Sequence, residues 1–167
     1  WTQQRNIHLI LDESFVDFSE KSVENTLLKN EVLETYPHLT VIKSISKSYG
    51  VPGLRLGIAA SSDKEIISYL RKNMAIWNIN SFAEFYLQIY SKYNNDYQNA
   101  CKKFIAERQR FFEVLQQVDF LRVIPSQANY FLCEVTSRFS STKLVSLLLE
   151  HNLLLKDCST KTGFNGR

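Results

Sequence analysis

Residues 44–57 read Ser44-Ile45-Ser46-Lys47-Ser48-Tyr49-Gly50-Val51-Pro52-Gly53-Leu54-Arg55-Leu56-Gly57. The stretch follows Leu39-Thr40-Val41-Ile42, whose β-branched, apolar composition predicts a buried strand. It runs into Leu56-Gly57-Ile58-Ala59-Ala60, which predicts another strand. Upstream, residues 8–12 form a short apolar run ending at Asp12-Glu13, the pattern of a strand covered on both faces in a parallel sheet. Polar residues 20–36 between the first two strands suit a helix, and Asp63 is placed to cap a helix through about residue 73. Strands alternating with helices predict an α/β sheet.

Farther out, residues 81–118 carry helical periodicity, broken near Asn94-Asn95, with Phe104, Phe111, Phe112 and Leu115 on one face. Residues 121–124 and 130–135 then read as strands, 141–151 as an amphipathic helix and 153–156 as another strand, together a small α+β unit. The expected division is 1–92 as part of a large α/β domain, 93–118 as a connecting helix and 119–167 as part of a small C-terminal α+β domain. The sequence opens without Met beside a strand pattern and closes on a turn-like Thr162-Gly163-Phe164-Asn165-Gly166-Arg167, so we expect a fragment of a longer protein.

Composition narrows the function classes. A formal net charge of +3, with acidic and basic residues interspersed, gives no footprint for a nucleic-acid partner. The basic pairs Lys102-Lys103 and Arg108 to Arg110 are expected on a solvated helix face. No run approaches the ~20 apolar residues of a membrane span, and the first residues lack a signal-peptide pattern, which predicts a cytoplasmic protein with no membrane partner. Cys101, Cys133 and Cys158 are scattered and expected as reduced thiols; His8, His38 and His151 lack metal-ligand spacing, so no metal site is expected.

The chemistry sits at the strand ends. In open α/β sheets ligands bind beyond the carboxyl ends of strands, where loops converge on one crevice. Lys47, just past such an end, can act as an amine nucleophile and join an aldehyde cofactor as a Schiff base. Asp12, past the neighbouring strand end, can pair with a cofactor ring nitrogen and keep it protonated. Ser44 and Ser46 offer hydroxyls and Arg55 a planar cation for a phosphate. Gly50, Gly53 and Gly57 would let the backbone turn closely around it, in a spacing that fits neither a dinucleotide nor a P-loop fingerprint. Alone, each feature has an ordinary reading: an exposed lysine, a turn-forming aspartate, a Ser-rich loop.

Residues 44–57 resemble the cofactor-lysine motif of fold-type I, class I/II aminotransferases, S-x-S-K-x-x-G-x-x-G-x-R-x-G. Leu11-Asp12-Glu13-Ser14-Phe15-Val16-Asp17-Phe18 is similar to the family's D-E-x-[YF]-x-x-F strand end. Trp77-Asn78-Ile79-Asn80, Pro125-Ser126-Gln127-Ala128-Asn129-Tyr130-Phe131 and Lys156-Asp157-Cys158-Ser159 are similar to the branch holding histidinol-phosphate aminotransferase and threonine-phosphate decarboxylase. The resemblance implies a large parallel-sheet domain that binds pyridoxal 5'-phosphate, followed by a small α+β domain. It implies Lys47 as Schiff-base lysine and proton shuttle, Asp12 on the pyridine nitrogen, and Ser44, Ser46 and Arg55 on the phosphate. Asn80 and Asn129 lie in segments that line the site in relatives, whereas Trp77 is expected in the core or at a dimer interface and Tyr49 is expected to pack. A homodimer and a small-molecule amino donor and keto acceptor are the implied partners.

Two departures accompany it. Phe15 stands where many aminotransferases carry a tyrosine whose hydroxyl meets the cofactor's ring oxygen. The family's phosphate loop and ring-stacking aromatic precede the segment matching Trp1, and its carboxylate-binding arginine is expected beyond Arg167, which is not itself expected to serve. The expected function is therefore amino transfer, with decarboxylation of the threonine-phosphate type, or a non-catalytic remnant, as the competing readings.

Overall fold

The computed structural model describes residues 1–136 and 139–163. The chain divides into two compact units, Trp1–Ile105 and Ala106–Arg167.

The first unit is built on a three-stranded sheet in the order β1-β2-β3, with β1 at Leu9–Asp12, β2 at Leu39–Ser44 and β3 at Gly57–Ala60. Between β1 and β2, the polar stretch expected as one helix is two short ones, α1 (Ser22–Asn25) and α2 (Asn30–Thr35). Glu13 explains the break: 5% exposed, it accepts from Thr26 Oγ1 and from Leu27 N, both at 2.6 Å, and so holds the linker between the two helices extended. β1 and β2 are parallel, with Asp12 opposite Ile42. β3 runs antiparallel to β2, with Ser44 opposite Gly57. Its direction follows from the link: a helical turn, α3 (Ile45–Ser48), and a 3-10 turn (Pro52–Leu54) reverse the chain, whereas a parallel connection needs a crossover element.

The core lies under β2, where Leu33, Leu39 and the fully enclosed Val41 pack with Leu11, Leu27, Leu28, Val32 and Ala60. Coverage of β1 on both faces, expected from its apolar run, is not found among the described residues. As the edge strand of this sheet it leaves Ile10 65% exposed.

α4 (Lys64–Asn73) follows β3, and its expected cap is in place, since Asp63 accepts from Glu65 N and Ile66 N. α5 (Ser81–Ile89) is followed by a 3-10 turn (Tyr90–Tyr93) and then α6 (Asn94–Leu115), so the break lies just before the asparagines near which it was expected. The unit boundary falls inside α6, within the stretch set apart as the connecting helix. No helix among the described residues is long and apolar enough to cross a membrane.

The second unit holds an antiparallel pair, β4 (Leu121–Ile124) and β5 (Leu132–Val135), and α7 (Ser141–Glu150). Phe131 packs on Phe111 and Phe112 with ring centroids 5.9 and 5.7 Å apart. Two expectations change here. Residues 153–156 form no strand: with no described partner to complete a ladder, their backbone gains nothing from extension, and Leu154 is 81% exposed. Arg108, assigned above to a solvated face, is 7% exposed, with Nη1 donating to Ala128 O at 3.4 Å. Arg167 lies outside the described residues.

Candidate active site

Because β1 and β2 are parallel, Asp12 and Ser44 end at the same sheet edge, and antiparallel β3 begins there. Four chemical groups thereby meet on one rim: Asp12, Ser44, Lys47 in the turn after β2, and Arg55 just before β3.

Asp12 is held by its neighbour. Its Oδ1 accepts from Ser14 N at 2.8 Å and from Ser14 Oγ at 2.5 Å. These two bonds, the hydroxyl's being the larger cause, with the Lys47 ammonium adding to them, hold its carboxyl below the ordinary carboxylate value. Lys47 is an exposed residue of α3, with Nζ 4.4 Å from the centre of the Phe15 ring, so its ammonium lies over an aromatic face.

The two serines of the motif differ. Ser44 Oγ has no hydrogen-bond partner among the described residues and is half-buried. Ser46 is 4% exposed and turned inward: its Oγ donates to Leu56 O at 3.3 Å and accepts from Leu56 N at 3.2 Å. With donor and acceptor both engaged, Ser46 clamps the loop shut across its base, and Ser44 is the hydroxyl open to a ligand.

Arg55 is exposed and adopts a left-handed backbone, φ 55, uncommon for a residue with a Cβ and frequent at functional sites. Its Nη1 donates to Pro52 O at 3.1 Å, leaving further donors of the guanidinium for an anion. Gly50 has φ 66, which favours glycine, and a Cβ on Gly57 would lie 3.3 Å from Lys43 O. Gly53 has open space around it and an ordinary backbone, so the loop does not require glycine there.

Asn80 caps α5 by accepting from Ala83 N at 2.9 Å, and its amide donates to Leu54 O at 3.0 Å, tying the helix start to the loop that presents Arg55. Asn129 is an exposed residue of the second unit. Trp77 is 90% exposed. Tyr49 packs, its ring stacked on Tyr97 at 3.9 Å, and burial pushes its hydroxyl up to about 12.

Other residues of the site were not singled out from sequence. Lys43 Nζ meets Asp17 Oδ1 at 2.6 Å, with side chains 12% and 16% exposed, and Ser48 Oγ donates to Asp17 Oδ2 at 2.7 Å. This network fixes both sides of the Lys47 turn to the segment after β1. Ser14, 3% exposed, bonds to Asp12 and receives Ser44 N. A serine two residues past a strand-end aspartate, a common local turn signal, is the one clue the sequence offered to it.

A depression of about 960 Å³, lined by Glu34, Ser61, Lys64 and Arg71 among others, lies at the opposite end of the sheet and includes none of these groups.

An ionised carboxylate, an exposed lysine amine, an unengaged hydroxyl and a partly free guanidinium on one rim are the donor set that pyridoxal 5'-phosphate requires for its ring nitrogen, aldehyde and phosphate. The fold is that of the fold-type I pyridoxal-phosphate enzymes. The family model for aminotransferase class I and II matches residues 1–162, and the chain belongs to that family. It is 34% identical, over 95% of its length, to L-serine phosphate decarboxylase of Campylobacter jejuni, of which it spans 42%. It is 31% identical, over 97% of its length, to threonine-phosphate decarboxylase of Salmonella typhimurium, of which it spans 43%. The solved histidinol-phosphate aminotransferase of Clostridium acetobutylicum superposes with a TM-score of 0.87 at 27% identity, covering 99% of this chain and 48% of that one. The chain thus spans less than half the length of these relatives.

Proposed function

We propose that this chain supplies the lysine-bearing part of a pyridoxal-phosphate enzyme that breaks a bond at Cα of a phosphorylated amino acid, with loss of carbon dioxide as the reaction. The observation that carries the proposal is the convergence of Asp12, Ser44, Lys47 and Arg55 on one rim, with Asp12 held ionised by Ser14.

When bound, the cofactor supplies an electron-withdrawing ring that takes up the electron pair of a bond broken at Cα. Lys47 Nζ would hold the cofactor through its aldehyde and would deliver to Cα the proton that replaces the lost carboxylate. Asp12 holds a proton on the ring nitrogen. Ser44 Oγ and the Arg55 guanidinium bind the phosphate. Ser46, Asn80 and the Lys43–Asp17–Ser48 network keep the loop in shape.

Decarboxylation is favoured over the expected amino transfer by the names of the relatives at 34% and 31% identity and by Phe15, which brings an apolar ring to Lys47 and no hydroxyl. The family description and the superposed histidinol-phosphate enzyme support amino transfer as the second reading, in which Lys47 Nζ takes the Cα proton. The homodimer and cytoplasmic location remain part of this proposal for the complete protein. Assaying that protein on L-serine phosphate and L-threonine phosphate, with carbon dioxide and keto product measured together, tests it. Release of carbon dioxide without keto product is expected; stoichiometric keto product would establish amino transfer instead.

A further inference from the structure

Ser14 bridges two strand ends in a way that fixes the direction of its own proton. Ser44 N lies 2.9 Å from Ser14 Oγ and, as an amide, can only donate to it. The hydroxyl proton is thereby left for Asp12 Oδ1 at 2.5 Å, the atom that also receives Ser14 N at 2.8 Å. The chain of bonds runs one way, from Ser44 N–H through Ser14 O–H to Asp12. Both donors fall on Oδ1, and Oδ2 has no hydrogen bond among the described residues. Ser14 is 3% exposed, so water does not compete for its hydroxyl.

Resting on the pyridoxal-phosphate reading above, we propose that Ser14 is a positioning residue of this site. Its oriented hydroxyl fixes the plane of the Asp12 carboxylate and leaves Oδ2 as the oxygen that meets the cofactor's ring nitrogen. A carboxylate tethered through one oxygen by two donors loses the rotamer freedom that a bare strand-end aspartate keeps, so less ordering remains to be done when the ligand arrives. The same donors favour the charged form, in accord with the lowered titration of Asp12.

The test uses the full-length protein and two readouts independent of turnover. In the first, the Asp12 carboxyl is titrated by carbon NMR without cofactor. Ser14→Ala should move its midpoint up towards the ordinary carboxylate value, and Ser14→Thr should restore it. In the second, pyridoxal 5'-phosphate affinity is measured in a double-mutant cycle. Ser14→Ala should weaken binding about tenfold, the change expected on losing one hydrogen bond to a charged group, and should have no effect in an Asp12→Asn background. Ser14→Cys, which keeps the volume and weakens the donor, replaces Ser14→Ala if the latter fails to fold. An unchanged Asp12 titration, or an equal loss of affinity in both backgrounds, would overturn the proposal. If the wild type takes up no cofactor, the functional reading fails, and the Asp12 titration still decides the role of Ser14.

Discussion

Asp12 gives the residue scale its clearest pH signature. Its folded titration lies below the unfolded value of 3.8, chiefly through the Ser14 hydroxyl, so the stabilisation it contributes is fully present above that value. It is lost as pH falls through the folded value. Asp12→Asn should therefore flatten the acid limb of stability against pH relative to wild type, measured by urea unfolding between neutral and strongly acidic pH. Parallel curves would contradict the hydrogen-bonded, ionised Asp12 described above. Lys43 and Asp17 form a nearly buried pair, and Lys43→Met should cost about 3 kcal/mol by stranding the Asp17 carboxylate. A thermal melt shifted by no more than a surface substitution would refute that. Lys47, Asp12, Ser44 and Arg55 were legible because their chemistry sits at strand ends in a fixed spacing. Ser14, Asp17 and Lys43 were not: what sets their roles is which carboxylate each reaches across the sheet, and only the pairing of β1 with β2 reveals that. The inward turn of Ser46, expected on the phosphate, was not legible for the same reason, since nothing in S-x-S-K says which serine bonds back to the loop.

At the scale of elements, local signals held where they were strong. Asp63 was readable as a cap because an aspartate before an amphipathic run satisfies the free N–H groups of the first turn, as it does for Glu65 and Ile66. Asp63→Ala should cost about 1 kcal/mol in the stability of the unit that carries α4, visible as a lowered midpoint in urea, whereas an unchanged midpoint would deny the cap its role. Gly50→Ala should cost about 1 kcal/mol, because its φ of 66 strains any residue with a Cβ, while Gly53→Ala should be nearly neutral. Equal costs at the two glycines would contradict the loop geometry. The direction of β3 and the missing strand at 153–156 were beyond the reach of composition. An apolar run announces extended backbone, but its direction and pairing depend on the connecting turn and on an available partner edge.

At the scale of the molecule, the chain is a member of the aminotransferase class I and II family that spans less than half the length of its relatives. Its first unit carries the lysine rim and a run of exposed apolar side chains, Ile76, Trp77 and Phe82, at 95%, 90% and 79% exposure. Large apolar side chains left this exposed are characteristic of an interface. The complete protein should therefore sediment as a dimer, and a monomer that keeps Trp77 fully accessible to a fluorescence quencher would contradict that expectation. The central claim is that Lys47 is the residue to which the cofactor is joined. Full-length protein incubated with pyridoxal 5'-phosphate, reduced with borohydride and digested should yield a peptide carrying the reduced cofactor on Lys47, and Lys47→Ala should yield none. A reduced adduct on another lysine, or equal cofactor uptake by wild type and Lys47→Ala with no covalent product, would contradict the account.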